Sequence, residues 1–251
     1  MAAAENLLMA RLPRADRLRL SRLCTRVQWT LGDVLYQPGD ATSHVYFPVD
    51  GFVSLVSVLE GHPGLEVGMV GCEGLLGVHQ VLGVRRSPVR VVVQGGGSAW
   101  SLGALAMRRE MEGGGALPRV LHQYICVLMS QLSTSAACLR FHLVGARLAR
   151  WLLMTQDRAQ ADDFDVTQEF LAYMLGVRRV GVSAAAGALQ RSGLIRYHRG
   201  RLTVVNRAGL MSAACSCYAT DLASYGSVFP AGPLPLLQPR TSTRPQPAPK
   251  D

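Results

Sequence analysis

Thr167-Gln168-Glu-Phe-Leu-Ala172-Tyr-Met-Leu-Gly176-Val-Arg178-Arg179-Val-Gly181-Val182-Ser183 is the stretch whose spacing decides the fold. Its frame is Ala172-x3-Gly176-x5-Val182. A small residue at 172 lets a second helix cross closely, and Gly176 can take the left-handed conformation that ends a first helix. Val182 then points back into the angle between the two helices. Phe170, Leu171, Met174 and Leu175 form the inner face of the first helix, with Asp165 or Thr167 as its N-cap. Ala185, Ala186 and Leu189 continue that face on the second. Helical hairpins share this spacing by chance, but the residues that follow narrow the reading. Gly193-Leu194-Ile195 ends the second helix and opens a strand, Tyr197–Arg201 turns, and Leu202–Val205 returns. This predicts a winged helix with Arg199 and Arg201 at the wing tip.

The charge agrees. From Phe170 to Arg207 there are seven arginines (178, 179, 191, 196, 199, 201 and 207) and no acid, whereas a merely solvated face would mix signs. The whole chain has 26 basic against 17 acidic residues, a net charge of +9, and every basic residue except Lys250 is arginine. Such a balance favours a polyanionic partner, nucleic acid before an anionic membrane. Val120–Leu139 lacks formal charge, yet it holds His122, Gln123, Ser130, Gln131, Ser133, Thr134 and Ser135, so it is not read as a membrane span. No secretory signal is visible, and six cysteines in 251 residues do not describe a disulfide scaffold, so a cytoplasmic protein is expected.

Outward from this segment, residues 5–23 alternate leucines and arginines around Pro13, which suggests short amphipathic helices. From Val27 to Leu102, β-branched runs recur between glycines and prolines: 33–36, 44–47, 52–59, 65–70, 89–93 and 98–102. They read as an antiparallel sandwich or barrel, with Glu73–Leu82 as an intervening helix. Beyond Gly113-Gly114-Gly115, a stripe of Leu121, Tyr124, Ile125, Leu128, Leu132, Ser135 and Leu139 predicts a long helix. That stripe serves either the core or a dimer seam, since small residues at 133, 135, 136 and 137 flank it. A second helix follows over Val144–Gln156, packing through Leu148, Trp151 and Leu152 and ended by the acidic run 162–165. Residues 230–251 hold seven of the thirteen prolines and are expected to be disordered.

The complete order resembles the Crp/Fnr superfamily of bacterial transcription regulators. The resemblance is carried by the 167–179 motif, Leu189-Gln-Arg-Ser-Gly-Leu-Ile-Arg-Tyr197, Gly32-Asp-Val-Leu-Tyr-Gln-Pro-Gly-Asp40, His44-Val-Tyr-Phe47 and Gly71-Cys-Glu-Gly-Leu-Leu-Gly77. It spans about residues 5–228 and is strongest in the winged helix. It implies an α+β fold: an N-terminal antiparallel, jelly-roll-like β-roll sensor (5–115), a long dimerisation helix (116–142), a winged helix-turn-helix (143–229) and the Pro-rich tail (230–251). It also settles the long helix as the dimer seam. It implies a homodimer on inverted-repeat double-stranded DNA, with RNA polymerase as a further partner and no membrane. The family's recognition helix opens with Arg-Glu-x-Val, and here the same place reads Arg179-Val180-Gly181-Val182. Arg179 and Ser183 would read bases, while Thr167, Gln168, Arg178, Arg199 and Arg201 would hold the backbone. Val180 replaces the usual glutamate, so the operator should differ from the family's commonest half-site. Gly181 costs about 1 kcal/mol in a helix and points to a close backbone approach.

The sensor is less defined. Cyclic-nucleotide binders of the family hold ribose with a Gly-Glu-Leu segment and phosphate with a downstream Arg-Ser. The matching residues are Glu73, Gly74, Arg85, Arg86 and Ser87, but Cys72 and Gly74 break the first motif and Pro88 removes a donor from the second. No cofactor is therefore assigned. Cys24 stands alone where an iron–sulfur member would need a cluster. Cys72 with His79 reads as structural before it reads as a haem pair, Cys126 and Cys138 read as small residues of the long helix, and Cys215-x-Cys217 lacks a second ligand pair for zinc, so no metal is assigned. His44, His62 and His79 are scattered, with no His-x-His, and no hydrolase or phosphate-loop motif appears; no catalytic residue is assigned. The alternative class is a small-molecule-binding or cupin-like β-roll with an incidental basic C-terminus.

Overall fold

Asn6 anchors the start of the chain in the computed structural model, which describes residues 5–62 and 64–230. Its side-chain oxygen caps helix α1 (Leu7–Ala10), and its amide donates to the carbonyls of Pro48 (3.0 Å) and Gly74 (2.8 Å). After α2 (Arg14–Leu23) come strands β1 (Thr25–Trp29), β2 (Val34–Tyr36), β3 (His44–Pro48), β4 (Phe52–Ser57) and β5 (Leu65–Val70). Helix α3 (Val78–Val81), strands β6 (Arg90–Gly95) and β7 (Gly97–Gly103) and helix α4 (Ala104–Glu112) complete this half. Two antiparallel sheets, β1-β7-β3 and β2-β6-β4-β5, close on a shared core of Trp29, Tyr36, Val53, Val70, Val91, Val93 and Ala99. This is the β-roll, and it includes a strand, β1, whose mostly exposed residues carry no clear apolar alternation.

The helix expected over Glu73–Leu82 shrinks to the four residues of α3. Leu76 instead bridges Tyr46 through two backbone bonds of 2.8 and 3.0 Å, and Gly77 turns into the helix at φ 93°. Strand β4 stops at Ser57, leaving Val58 and Leu59 exposed in the turn.

Helix α5 (Leu117–Phe141) is the long helix, and its packing reassigns the apolar stripe. Leu121, Tyr124, Ile125 and Leu128 are buried in the β-roll cores, so that stripe faces inward, the first of its two expected roles. The outward face carries His122, Cys126, Met129, Ser133, Ala136 and Arg140, alternating steps of four and three residues.

Helix α6 (Val144–Ala159) is buried all round from Arg147 to Arg158. A helix without a wet face must satisfy its polar side chains internally. Arg158 pairs with Glu73 at 2.8 Å, and Arg150 pairs with Asp221 at 2.6 Å and donates to the Ser135 hydroxyl at 3.2 Å. Asp157 accepts from Arg207 and from the Tyr218 hydroxyl, both at 2.7 Å. Burial works against the Arg158 charge, yet the facing Glu73 and Asp157 carboxylates outweigh it and raise the guanidinium's pKa.

The rest of the chain runs β8 (Asp163–Asp165), α7 (Gln168–Leu175), α8 (Arg179–Arg191), β9 (Ile195–His198), β10 (Arg201–Val204), α9 (Arg207–Ala213) and α10 (Cys217–Val228). The acidic run is thus a strand rather than a bare boundary: β8 pairs β10 in a β8-β10-β9 sheet. The last helix of the span expected for the winged-helix domain bridges both halves, its Tyr218 meeting Asp157 and Arg207. Helix α10 packs back on the β-roll side, where Tyr225 donates to the Glu73 carbonyl at 2.8 Å and the Arg11 guanidinium lies 4.6 Å over the Phe229 ring. The proline-rich tail lies outside the described residues, apart from Pro230.

The two halves share one apolar cluster: Phe52, Val56 and Met69 of the β-roll pack with Leu148, Trp151, Leu171 and Leu175. Glu66 sits at this seam, accepting from the Trp151 indole at 2.9 Å and from the Ser54 hydroxyl.

Two expectations follow from these contacts. Replacing Glu73 by leucine strands Arg158 without its partner and should cost about 3–5 kcal/mol in urea unfolding, whereas adding Arg158→Met should recover most of that loss. Burial lifts the Glu66 carboxyl from 4.5 to about 7, so the folded state holds this proton more tightly than the unfolded chain does. Stability from this group is therefore full below pH about 4.5 and falls as pH rises towards 7. Glu66→Gln should flatten that slope and raise stability above neutrality by on the order of 2 kcal/mol, read from unfolding midpoints across pH.

Candidate nucleic-acid interface

Helix α7 starts because Thr167 caps it, its hydroxyl accepting from the Phe170 N–H at 3.1 Å. It stops at Gly176, whose φ of 61° is the left-handed turn expected from the sequence, and the Val177 N–H then closes on the Ala172 carbonyl at 3.0 Å. Val182 is wholly buried between α7 and α8, with Ala186 and Leu189 continuing the same face. The turn also leans on the β-roll: a Cβ at Gly176 would lie 2.6 Å from Leu65 Cδ1.

This packing turns the first residues of α8 outward. Arg178 caps the helix, and Arg178, Arg179 and Val180 are all exposed, Val180 by 77%. Ser183 and Gln168 come together: the Ser183 hydroxyl donates to Gln168 Oε1 and lies 3.1 Å from the Arg179 carbonyl. A side-chain contact thus locks α7 to α8 on the outer face. Gly181 differs from its expectation, because among the described residues nothing beyond its own helix backbone and chain neighbours lies within 4 Å of a Cβ built there. Close approach within the protein does not explain it.

The wing turns through Arg199 (φ 48°) and Gly200 (φ 81°), two successive positive φ values that suit the right-handed twist of a tight hairpin. Tyr197 ties the wing to the segment just before α7 by donating its hydroxyl to the Val166 carbonyl at 2.7 Å. Burial raises the Tyr197 pKa while the nearby Arg179 charge opposes it, which places the start of α8 beside the wing strand. Arg199 is exposed at the tip, and Arg201 reaches Asp163 at 3.8 Å from an exposed position. Of the seven arginines in the run, Arg207 faces inward and serves Gln156, Asp157 and Tyr218. Arg178, Arg179, Arg191, Arg196 and Arg199 remain as an exposed basic surface on recognition helix and wing. Exposed Val180 is the residue of this surface that a charge-based reading overlooks.

The sensor residues are placed differently. Glu73 is buried against Arg158 and accepts from the Gly71 N–H at 3.2 Å, and a Cβ on Gly74 would collide with the Tyr124 hydroxyl. Arg85 and Arg86 are exposed, Arg86 donates to the Gly39 carbonyl, and the buried Ser87 hydroxyl donates to the Val89 carbonyl at 2.7 Å. The backbone around them is spent pairing with residues 39–42: Ser87 donates to Asp40, and Arg85 accepts from Thr42, both at 3.0 Å. The structure gives Glu73 its partner on α6, while Arg86 and Ser87 bond to the carbonyls of Gly39 and Val89. Cys72 is buried beside them, and His79 meets the Thr42 hydroxyl at 2.7 Å.

Comparison with known proteins agrees with this geometry. Residues 146–213 match the Crp-like helix-turn-helix domain. The global nitrogen regulator of Synechococcus elongatus is 26% identical over 192 residues, covering 73% of this chain and 86% of that protein. FixK2 from Bradyrhizobium japonicum superposes with a TM-score of 0.65 at 15% identity, covering 76% of this chain and 98% of that one. A CRP/FNR-family transcriptional regulator from Thermus thermophilus gives 0.63 at 22% identity, over 76% and 98% of the two chains. The structural likenesses carry the α+β fold, and the family match carries the DNA-binding domain.

The two glycines of the motif should respond in opposite directions. Gly176→Ala forces a Cβ into a left-handed position and against Leu65, and should cost about 1–2 kcal/mol of stability. Gly181→Ala meets nothing and should gain about 0.4–1 kcal/mol. Urea unfolding of the two variants checks both signs.

Proposed function

We propose that this DNA-binding transcription regulator of the Crp/Fnr type works as a homodimer on an inverted-repeat operator. The observation that carries the reading is the exposed start of α8 beside an arginine-tipped wing, on a domain matched over residues 146–213. The dimer seam is the outward face of α5. Its small residues Ser133 and Ala136 permit close helix approach, and Met129, Phe141 and Leu143 are 61, 75 and 85% exposed along the helix and just past it. Paired there, two recognition helices would enter successive major grooves about 34 Å apart.

Within each half-site Arg179 supplies the fork that pairs with guanine O6 and N7, and Val180 offers an apolar contact in place of the family's glutamate. Ser183 reads a base by exchanging its bond with Gln168. Thr167, Gln168, Arg178, Arg199 and Arg201 hold phosphates and set the register. Arg201 must leave Asp163 to do so, so it contributes less than Arg199. The β-roll biases the winged helix through the Glu66–Trp151 and Glu73–Arg158 contacts, which cross the seam between the halves. The effector is left unassigned: the Ser87 hydroxyl is spent on the Val89 carbonyl, and Arg86 gives one bond to the Gly39 carbonyl from an exposed position. Among the described residues no helix is long and apolar enough to cross a membrane. A DNA partner places the protein in the cytoplasm, where RNA polymerase is the further partner the resemblance implies, and the role is regulation rather than catalysis.

Selection from a random duplex pool by the full-length protein, at two salt concentrations, tests this. An inverted repeat should be enriched. Arg179→Ala should relax one base position at a cost of about 1–3 kcal/mol, and Arg199→Ala should weaken all sequences alike and lower the salt slope by about one. Random output with unchanged binding by Arg179→Ala would overturn the reading.

A further inference from the structure

Cys215-x-Cys217 offers two thiols on one short segment, and the fold supplies the pair that the sequence does not display. Cys138 and His142 are four residues apart at the C-terminal end of α5, one helical turn, so both side chains leave the same face. Cys215 precedes α10 and Cys217 is its first residue. The four donor atoms all lie within 4.8 Å of one another. Cys138 Sγ is 3.5 Å from Cys215 Sγ, and Cys217 Sγ is 3.5 Å from His142 Nδ1.

We propose that Cys138, His142, Cys215 and Cys217 bind one zinc ion as a Cys3His structural site. With Zn–S near 2.3 Å and Zn–N near 2.05 Å, a tetrahedron has sulfur–sulfur edges of about 3.8 Å and sulfur–nitrogen edges of about 3.6 Å. The two close contacts, each 3.5 Å, fall within about 0.3 Å of these edges. The remaining pairs, up to 4.8 Å apart, need to draw in by about an ångström. Three thiolates and one imidazole are a soft set that selects zinc over magnesium or calcium, and four protein ligands leave no position open for chemistry. The three cysteines are 2, 8 and 6% exposed, packed with Ala146 and shielded from water. Three thiolates on a divalent ion leave one net negative charge, and Arg147 and Arg150 line the same small cavity as Cys138 to balance it.

The position gives the site a consequence. His142 is the C-cap of α5 in extended conformation, and Leu143 caps α6 immediately after it. A metal held there ties the end of α5 and the hinge into α6 to α10, which is itself packed on the β-roll. It would fix the angle at which the DNA-binding half leaves the long helix.

Full-length protein purified without chelator should contain one zinc per chain by elemental analysis. Replacement by cobalt(II) should give the intense visible bands of a tetrahedral thiolate complex. Cys215→Ser and His142→Ala should lose the ion, His142→Cys should retain it as a four-cysteine site, and Cys24→Ser should be without effect. The cobalt spectrum is read on the unaltered chain, so the proposal stands or falls even where a variant does not fold. A chain that carries no zinc, gives no thiolate–cobalt bands and yields a Cys138–Cys215 disulfide or freely alkylated thiols in the presence of zinc overturns it. Loss of DNA binding with zinc still present would count against the regulatory reading and leave the site intact.

Discussion

The ion pair between Arg158 and Glu73 is the constraint around which the two halves are arranged. Neither side chain is more than 5% exposed, and a buried charge left alone costs several kcal/mol. Once Arg158 is on α6, the chain can bury that helix only by bringing Glu73 to it from the turn after β5. Glu73 in turn lends its carbonyl to Tyr225 of α10. One carboxylate and its peptide therefore join the β-roll, the helix that opens the DNA-binding half and the last described helix. The pair adds little net stability compared with an apolar replacement, but it specifies which surfaces meet.

The same helix explains how a signal could pass between the halves. Polar groups on successive turns of α6 point to different elements: Arg150 to α5 and α10, Trp151 to Glu66 on β5, Asp157 to α9 and α10, and Arg158 to Glu73. The Trp151 indole bond to Glu66 is thus the polar link from the β4–β5 hairpin to the helix that leads into α7 and α8. Gly176, the turn residue of the motif, already rests against Leu65 of that hairpin. Packed polar contacts of this kind have discrete alternatives rather than a continuum, which suits a switch.

Much of the candidate interface is legible in the sequence. Thr167 as cap, Gly176 as left-handed stop, Val182 as the buried wedge and the Arg199-Gly200 turn all rest on interactions spanning a few residues. The long helix was legible as a helix but not in its orientation, since an apolar stripe marks a buried face without naming the partner. Its inward stripe packs on the β-roll, and the face left outside is recognisable only by exposure. The helix expected from Glu73 failed because Leu76 had a better partner in Tyr46, a contact 30 residues away in the chain that propensity does not register.

By itself the sequence determined a winged helix-turn-helix with a basic outer face, a β-rich first half and a long helix between them. Those features come from periodicity, turn chemistry and charge, whose reach is one or two helical turns. The tertiary structure alone decided that α6 has no wet face, that Arg207 serves the core, that Glu73 answers Arg158, and that Cys138 meets Cys215 across 77 residues. Each of these pairs side chains on separate elements. Such pairings follow from the packing of one element on another, and no local pattern in the chain records them.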